Sequence, residues 1–501
     1  MQKSVLNGSI ALIISGLFCK VLGAFFRIPL TTIIGAEGIG VFQMVMSLYS
    51  FALILCSGGI TLTLSTLISK ARQKNDKTKI FSLYKISIIF SVLVAGLVGI
   101  LFFLLAKNIA FLQGNNATAL SYRLMIVLLP LGGLLACIKG VIQGNENMIP
   151  TAISQIIEQF LKFFLGIVFS YVLIKYGLDY GVFGAFLGIV VGEIFALVYL
   201  LACVKRLSLG MKGKNYKDFF KTLFPILIGG SVLPLVAAID SFLVINRLKV
   251  AGFTTLNATT LFGIQTGMVG TILNLPLIIS TSIVMSILPS LSRIEDEKIF
   301  FEKTEKAFKI LWITILPMTL GIVAISKPLY LLLYPNLRPI ELSYAVNLTR
   351  ISAVSTILFA LSQIFIVILQ ARGEFWFATL TQIIGGTLKL IVVIIFCGVK
   401  EVNIYGLAIS NVALSSFVCV CCLIRFKGKL LISYFDLFTP LFASALMMFL
   451  VYAFIQVITV SLVFSILFSV LIGVVVYVII AMPCLISVFK TFIKKRNRKE
   501  V

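Results

Sequence analysis

The chain is a succession of long apolar runs joined by short segments. Fourteen of its 501 residues' stretches read as apolar helices, at about 7–34, 38–69, 80–106, 118–143, 148–175, 180–204, 217–246, 258–291, 303–326, 341–371, 374–398, 402–425, 436–458 and 460–490. A run of about 20 such residues crosses a bilayer. Inside hydrocarbon every backbone N–H and C=O needs an internal partner, which leaves helices or closed barrels as spanning structures. Only 12% of the residues are charged, against roughly 25% in a soluble domain. The expected fold is therefore an all-α polytopic membrane protein with about fourteen transmembrane helices. Several runs exceed a minimal span, so tilt is expected, with kinks at Pro225, Pro234 and Pro276. The first run is too long for a cleavable signal peptide and lacks a small-residue cleavage site.

The formal net charge is +24, and its distribution follows the runs. Lys70, Arg72, Lys74, Lys77 and Lys79 share one set of connections with Lys205, Arg206, Lys212 and Lys214, with Arg293 and Lys298, with Arg372, and with Arg425, Lys427 and Lys429. The tail from Lys490 to Lys499 joins them. The alternate connections carry few cations, such as Lys107, Lys175 and Lys400. Basic loops stay inside, so both termini are expected in the cytoplasm of a bacterial cell membrane. The basic loops then meet anionic inner-leaflet lipids, and nucleic acid is not needed to explain the charge.

The sequence 143–162 recurs 227 positions later, at 370–389. Gln143 falls on Gln370, Gln155-Ile-Ile157 on Gln382-Ile-Ile384, and Lys162 on Lys389. Allowing a gap, Gly181-Val-Phe-Gly184 meets Asn403-Ile-Tyr-Gly406, and Gln43 falls near Gln265. Helices one to six thus resemble helices seven to twelve. Six is even, so the two halves enter the membrane in the same sense, a parallel repeat. The expected organisation is a lobe at 1–204, a basic cytoplasmic linker at 205–221, a second lobe at 217–425, two accessory helices within 436–490 and a basic tail at 491–501. Transporters built this way bind substrate between halves that rock to give alternating access.

Soluble chemistry has little room here. No loop exceeds roughly twenty residues, and no phosphate-binding glycine loop of the P-loop type is present. Histidine is absent and the nine cysteines lie in apolar runs without metal-ligand spacing. No metal, cofactor or enzymatic activity is expected.

Charged groups within the spans remain, and each is a candidate for function because ionised groups are costly there. In the first run Ser9, Gly16, Lys20, Gly23 and Arg27 fall within about 60° on a helical projection, a small and cationic stripe. Arg27 lies nearer the outer end and can also snorkel to the interface. Gln43, Ser47, Ser50 and Thr61 share a face of the second run. Lys162 lies near mid-depth with Glu158 one turn earlier, the favourable order for an ion pair. Gly385 replaces Glu158 in the second copy, so Lys389 has no carboxylate one turn before it and is the better expected anion ligand. Gln155 and Gln382 offer hydrogen bonds to phosphate or sugar, or serve as interhelical glue. Glu158, Glu193 and Asp240 are the candidates for ion coupling, and each can alternatively be a structural partner of a lysine or arginine. Glu193 follows Gly184, Gly188 and Gly192, a small-residue ridge that predicts close helix packing. With Lys139, the cations outnumber the carboxylates, which suits an anionic, phosphate-bearing substrate.

The stretch Lys20-Val-Leu-Gly-Ala-Phe-Phe-Arg27, followed by Gly35-Ala-Glu-Gly-Ile-Gly-Val-Phe-Gln43, resembles the opening of flippases of the stage V sporulation protein B type. So does Gln143-Gly144 with Pro150 closing the turn. These flippases belong to the multidrug/oligosaccharidyl-lipid/polysaccharide superfamily, which includes the MurJ-type lipid II flippases. The resemblance covers essentially the whole chain. It implies a two-lobed transporter that moves an undecaprenyl-diphosphate-linked cell-wall or polysaccharide precursor outward, with Lys20 and Arg27 lining a central cavity and the last two helices holding the lipid tail. Enzymes of cell-wall synthesis are implied as partners. MurJ-type cavity arginines on helices two and eight have no counterpart here, and Lys162 and Lys389 are the expected replacements. An ion-coupled multidrug exporter of the same superfamily is the alternative, and a membrane glycan polymerase a more distant one.

Overall fold

The structure, a computed structural model, describes residues 2–203, 216–291, 294–426, 433–457 and 461–497. Among them there is no strand. They divide into two compact units, Met1–Gly267 and Met268–Val501. The first holds α1 (Gln2–Ser57), α2 (Ile60–Gln73), α3 (Lys77–Gln113), α4 (Ala119–Arg123), α5 (Met125–Gly144), α6 (Ile149–Leu173), α7 (Leu178–Cys203), α8 (Tyr216–Val250) and α9 (Thr255–Gly263). The second holds α10 (Gly270–Leu291), α11 (Glu297–Ala324), α12 (Ser326–Leu333), α13 (Pro339–Ala371), α14 (Phe375–Phe396), α15 (Tyr405–Phe426), α16 (Tyr434–Val457) and α17 (Leu462–Asn497). Most of the linker 205–221, Lys427, Lys429, Arg293, the side chain of Ser9 and the side chains of the basic tail lie outside the described residues.

Thirteen described stretches are long and apolar enough to cross a membrane. The first, Ile10–Gln73, has 64 residues, a length of about 96 Å as one helix, roughly three hydrocarbon cores. It does not run straight. Gly35 is non-helical, with φ 71° and ψ −179°, inside α1. The rings of Phe26 and Phe42, on either side of it, are 6.1 Å apart, where a straight helix would separate them by about 24 Å. The chain therefore reverses at Gly35, in a conformation that L side chains rarely adopt. This one stretch therefore holds the first two of the fourteen apolar runs, and the count of thirteen candidate spans among the described residues comes close to fourteen. The short α12 was not legible as an apolar run.

Large apolar side chains cover the outside of the helices. Leu97, Leu104 and Phe111 on α3, and Phe464, Leu471 and Val474 on α17, are all more than half exposed. Such surface is at home in lipid and not in water. Inside the second unit, Phe308 stacks on Phe365 at 6.1 Å within a core drawn from α10, α11, α13, α14 and α15. The last two helices pack on α11, where Tyr477 donates to the Ile313 carbonyl at 2.7 Å and the Trp312 indole to the Leu437 carbonyl at 2.9 Å.

The compact units do not break where the sequence repeat breaks. The division falls in a π-helical turn, Ile264–Val269, midway along the span Thr255–Ile287. Consequently α8 and α9 pack with the first unit, against α1. Glycines make this possible: a Cβ on Gly263 would lie 2.6 Å from the Gly40 nitrogen, and one on Gly267 would lie 2.7 Å from the Ile39 side chain. Backbone-to-backbone packing of α6 on α7 uses the same device. A Cβ on Gly184 would lie 2.6 Å from the Phe169 carbonyl carbon, and one on Gly192 would lie 2.7 Å from the Glu158 carbonyl oxygen. The ridge read from the sequence is thus the α6–α7 interface.

The 227-residue repeat is present in the backbone. After α5, the amides of Asn145, Glu146 and Asn147 donate to the carbonyls of Val141, Gln143 and Ile142. After α13, the amides of Arg372, Gly373 and Glu374 donate to the carbonyls of Ile368, Gln370 and Leu369. The two sets correspond residue for residue. Both turns need a left-handed residue, and Glu146 (φ 63°) stands in one where Gly373 (φ 79°) stands in the other. A side chain in that region costs about 1 kcal/mol. Glu146→Gly is expected to stabilise the protein by about 0.5–1 kcal/mol and Gly373→Ala to destabilise it by about 1 kcal/mol. Thermal unfolding in detergent measures both, and equal shifts of the same sign would refute the shared turn.

Candidate functional site

The first unit gathers polar side chains from four helices into one layer. On α1, the Ser15 hydroxyl donates to Gln155 Oε1 at 3.2 Å, and the Cys19 thiol donates to the Gln155 carbonyl at 3.3 Å. One turn on, Gly23 leaves room for Gln159, whose Nε2 would be 3.0 Å from a Cβ there. Lys162 places its ammonium 6.0 Å from the centre of the Phe26 ring, a cation–π contact. Lys139 on α5 reaches Glu158 on α6, with Nζ to Oε2 at 3.0 Å. On α7, Glu193 accepts a hydrogen bond from the Tyr49 hydroxyl at 2.9 Å.

Three expectations change in this geometry. Glu158 was expected to hold Lys162 along one helix, but its carboxylate is taken by Lys139. The physical reason is tertiary: Lys139, on α5, reaches across to the Glu158 carboxylate on α6. Lys389 was expected to be the more available lysine, but it is buried at 8% exposure while Lys162 is only half-buried. Lys389 shares a face with Gly385, and a Cβ on Gly385 would lie 3.2 Å from Val418 and 3.4 Å from Phe417. That face of α14 is pressed against α15, so a glutamate in place of Gly385 has no room. The third concerns Gln43, which is buried and donates from Nε2 to the Thr266 carbonyl at 2.9 Å. It joins the second half of α1 to the π-turn beside Gln265, the residue it matches in the repeat.

The remaining candidates fall in separate places. Lys20 is exposed and Arg27 half-buried on α1, and Thr31 donates back to the Arg27 carbonyl at 2.6 Å. Gln155 is half-buried in the polar layer, and its counterpart Gln382 is half-buried on α14 in the second unit. Asp240, 5% exposed, lies on α8 apart from that layer. Tyr49, Gln159 and Lys139 belong to the layer without having been marked as site residues. For Lys139 no local signal existed, because its partner lies on the next helix, 19 residues on. For Tyr49 none existed, because its neighbour Glu193 is 144 residues away.

The basic connections are partly neutralised. Lys79 pairs with Asp218 at 2.9 Å, Arg425 with Glu374 at 2.6 Å, and Arg372 with Glu297 at 3.4 Å.

A family model described as polysaccharide biosynthesis protein matches residues 5–295, more than half of the chain. The chain belongs to the polysaccharide biosynthesis protein family. Stage V sporulation protein B of Bacillus subtilis (strain 168) is 27% identical over 309 residues, 59% of this chain and 60% of that relative's length. The chain therefore spans less than two thirds of that relative. Lipid II flippase MurJ of the same organism is 22% identical over 421 residues, 78% of this chain and 77% of MurJ. Among solved structures, the lipid II flippase MurJ in an inward closed conformation superposes with a TM-score of 0.76 at 17% identity, covering 94% of this chain and 98% of that one. A multidrug resistance MATE family transporter of the MOP superfamily, inward-facing, superposes at 0.66 and 15% identity, covering 82% and 95%. The fold is that of MurJ and MATE transporters, and the protein is a multi-pass membrane member of its family.

Within this family member, the Lys139–Glu158 pair lends itself to a direct test. The side chains are 15% and 30% exposed, so removing one leaves a charge in a poorly solvated place. Lys139→Met is expected to lower stability by about 1–3 kcal/mol, and Lys139→Met with Glu158→Leu to recover most of the loss. Thermal unfolding of the single and double variants checks this, and additive losses would exclude the pair.

Proposed function

We propose that this protein is a flippase that carries an anionic, undecaprenyl-diphosphate-linked cell-wall or polysaccharide precursor from the inner to the outer leaflet by alternating access. The observation that carries the reading is the charge balance of the polar layer together with α1. Lys139 and Lys162 stand in the layer against Glu158 and Glu193, Glu158 is already paired, and Lys20 and Arg27 add two cations on α1, the helix that brings Ser15 and Cys19 to the layer. A diphosphate presents acceptor oxygens to ammonium and guanidinium groups, and Gln155 and Gln159 add amide donors for phosphate or sugar. The relatives named for lipid II flipping and for sporulation agree with this class of substrate.

Both termini lie in the cytoplasm in this reading, and the exposed basic connections rest on anionic inner-leaflet lipids. An inside-negative potential then drives the headgroup outward by about 2.3 kcal/mol per charge per 100 mV. A cationic-drug exporter would want carboxylates where this chain has lysines.

Purified protein in proteoliposomes with candidate lipid-linked sugars, with and without an imposed potential, tests the proposal. Lys20→Ala, Arg27→Ala and Lys162→Ala are each expected to slow translocation roughly tenfold, the effect of losing about 1.4 kcal/mol of anion stabilisation. Translocation by all three variants at the wild-type rate would overturn the proposed site, and drug efflux without lipid translocation would overturn the substrate class.

A further inference from the structure

Glu193 is the most enclosed carboxylate of the polar layer, at 4% exposure. Its Oε1 accepts from Tyr49, and its Oε2 is buried without a hydrogen-bond partner. The side chain lies against α5, where a Cβ on Gly132 would be 3.9 Å from Oε1. The titratable groups facing it are Tyr49 from α1, Lys139 from α5, and Glu158 and Lys162 from α6, with Cys56 beyond Tyr49. Lys139 is held by Glu158, and Lys162 sits over Phe26. Among the described residues neither ammonium comes within ion-pair distance of Glu193.

We propose that Glu193 is a proton-binding site of this transporter. An ionised carboxylate with a single neutral donor is poorly stabilised inside a span. Oε1 is engaged by Tyr49, which leaves Oε2 as the atom that accepts the proton. The step is a proton transfer: hydronium gives its proton to Oε2, an O–H bond forms, and water is released. One carboxylate and one phenol supply too few oxygens for a hard metal cation, which takes six or so. A proton on Glu193 leaves the layer more positive by one charge, beside Lys162 and the Lys139–Glu158 pair. An anionic headgroup and a proton therefore assist each other's binding, and by linkage the assistance is reciprocal. The coupling to transport rests on the flippase reading, whereas the proton site itself does not.

Infrared difference spectroscopy of the full-length protein in nanodiscs, titrated from about pH 5 to about pH 9, reads the site without substrate. A protonated-carboxyl band that grows on acidification, is missing in Glu193→Gln and is displaced in Tyr49→Phe is the expected result. Tyr49→Phe keeps the carboxyl and guards against a misfolded Glu193→Gln. A band that ignores pH, or one that persists in Glu193→Gln, would overturn the site. In proteoliposomes with the potential clamped, wild-type translocation of lipid-linked sugar is expected to vary roughly tenfold over that range, a change of about 1.4 kcal/mol, and Glu193→Gln to be flat. Equal pH dependence in both would overturn the coupling while the infrared result stands. A wild type that moves no lipid-linked sugar at all fails the flippase reading, and Glu193 is still decided by its infrared band.

Discussion

Keeping charge inside a layer of hydrocarbon is the requirement on which the rest of this molecule depends. Every ionised group in a span needs a partner, a polar neighbour or access to water. The first unit meets that need in three ways within one layer. Lys139 and Glu158 neutralise each other. Lys162 is offered the face of Phe26. Glu193 receives one hydrogen bond from Tyr49 and keeps one oxygen unpartnered. The three solutions differ in what they leave over: nothing at the Lys139–Glu158 pair, a cation at Lys162 and a carboxylate at Glu193.

The layer exists because helices approach closely around it. Gly184 and Gly192 bring α7 to the backbone of α6, and the Glu193 carboxylate follows Gly192 directly. Gly23 admits Gln159, and Gly132 admits Leu53. A larger residue at Gly23 or Gly192 would press directly on Gln159 or on the backbone of Glu158. Close packing and charge placement are thus one property of the first unit. In the second unit the same position of the repeat is used differently. Gly385 draws α14 onto α15 and encloses Lys389, and the symmetry of the repeat survives in the turn at Gly373 but not in the chemistry one helix further on.

The fold was legible in the sequence because its strongest signal, apolar length, is local. The fourteen apolar runs meet thirteen candidate spans among the described residues, the first of them holding two runs on either side of the bend at Gly35. The repeat was legible as matching residues at 143–162 and 370–389, and the structure adds the turn shared by Glu146 and Gly373. The candidate site was legible only as a set of residue types. Lys20, Arg27, Gln155, Lys162 and Glu193 were identified as polar groups in spans, but their pairings were not. Glu158 was assigned to the lysine one turn away, and the lysine 19 residues back, on α5, holds it instead.

The sequence by itself determined that the chain spans a membrane many times, that the stretch 143–162 recurs at 370–389, and that the charges within its apolar runs are biased toward cations. These are properties of composition and of neighbours along the chain. Only the tertiary structure decided which cation each carboxylate meets, that α8 and α9 pack with the first unit, that Lys389 is enclosed, and that Glu193 rests on Tyr49. The reason is distance: an ion pair or hydrogen bond is settled within about 3–4 Å, and the partners that come that close here lie on different helices, brought together by glycine contacts that have no local signature.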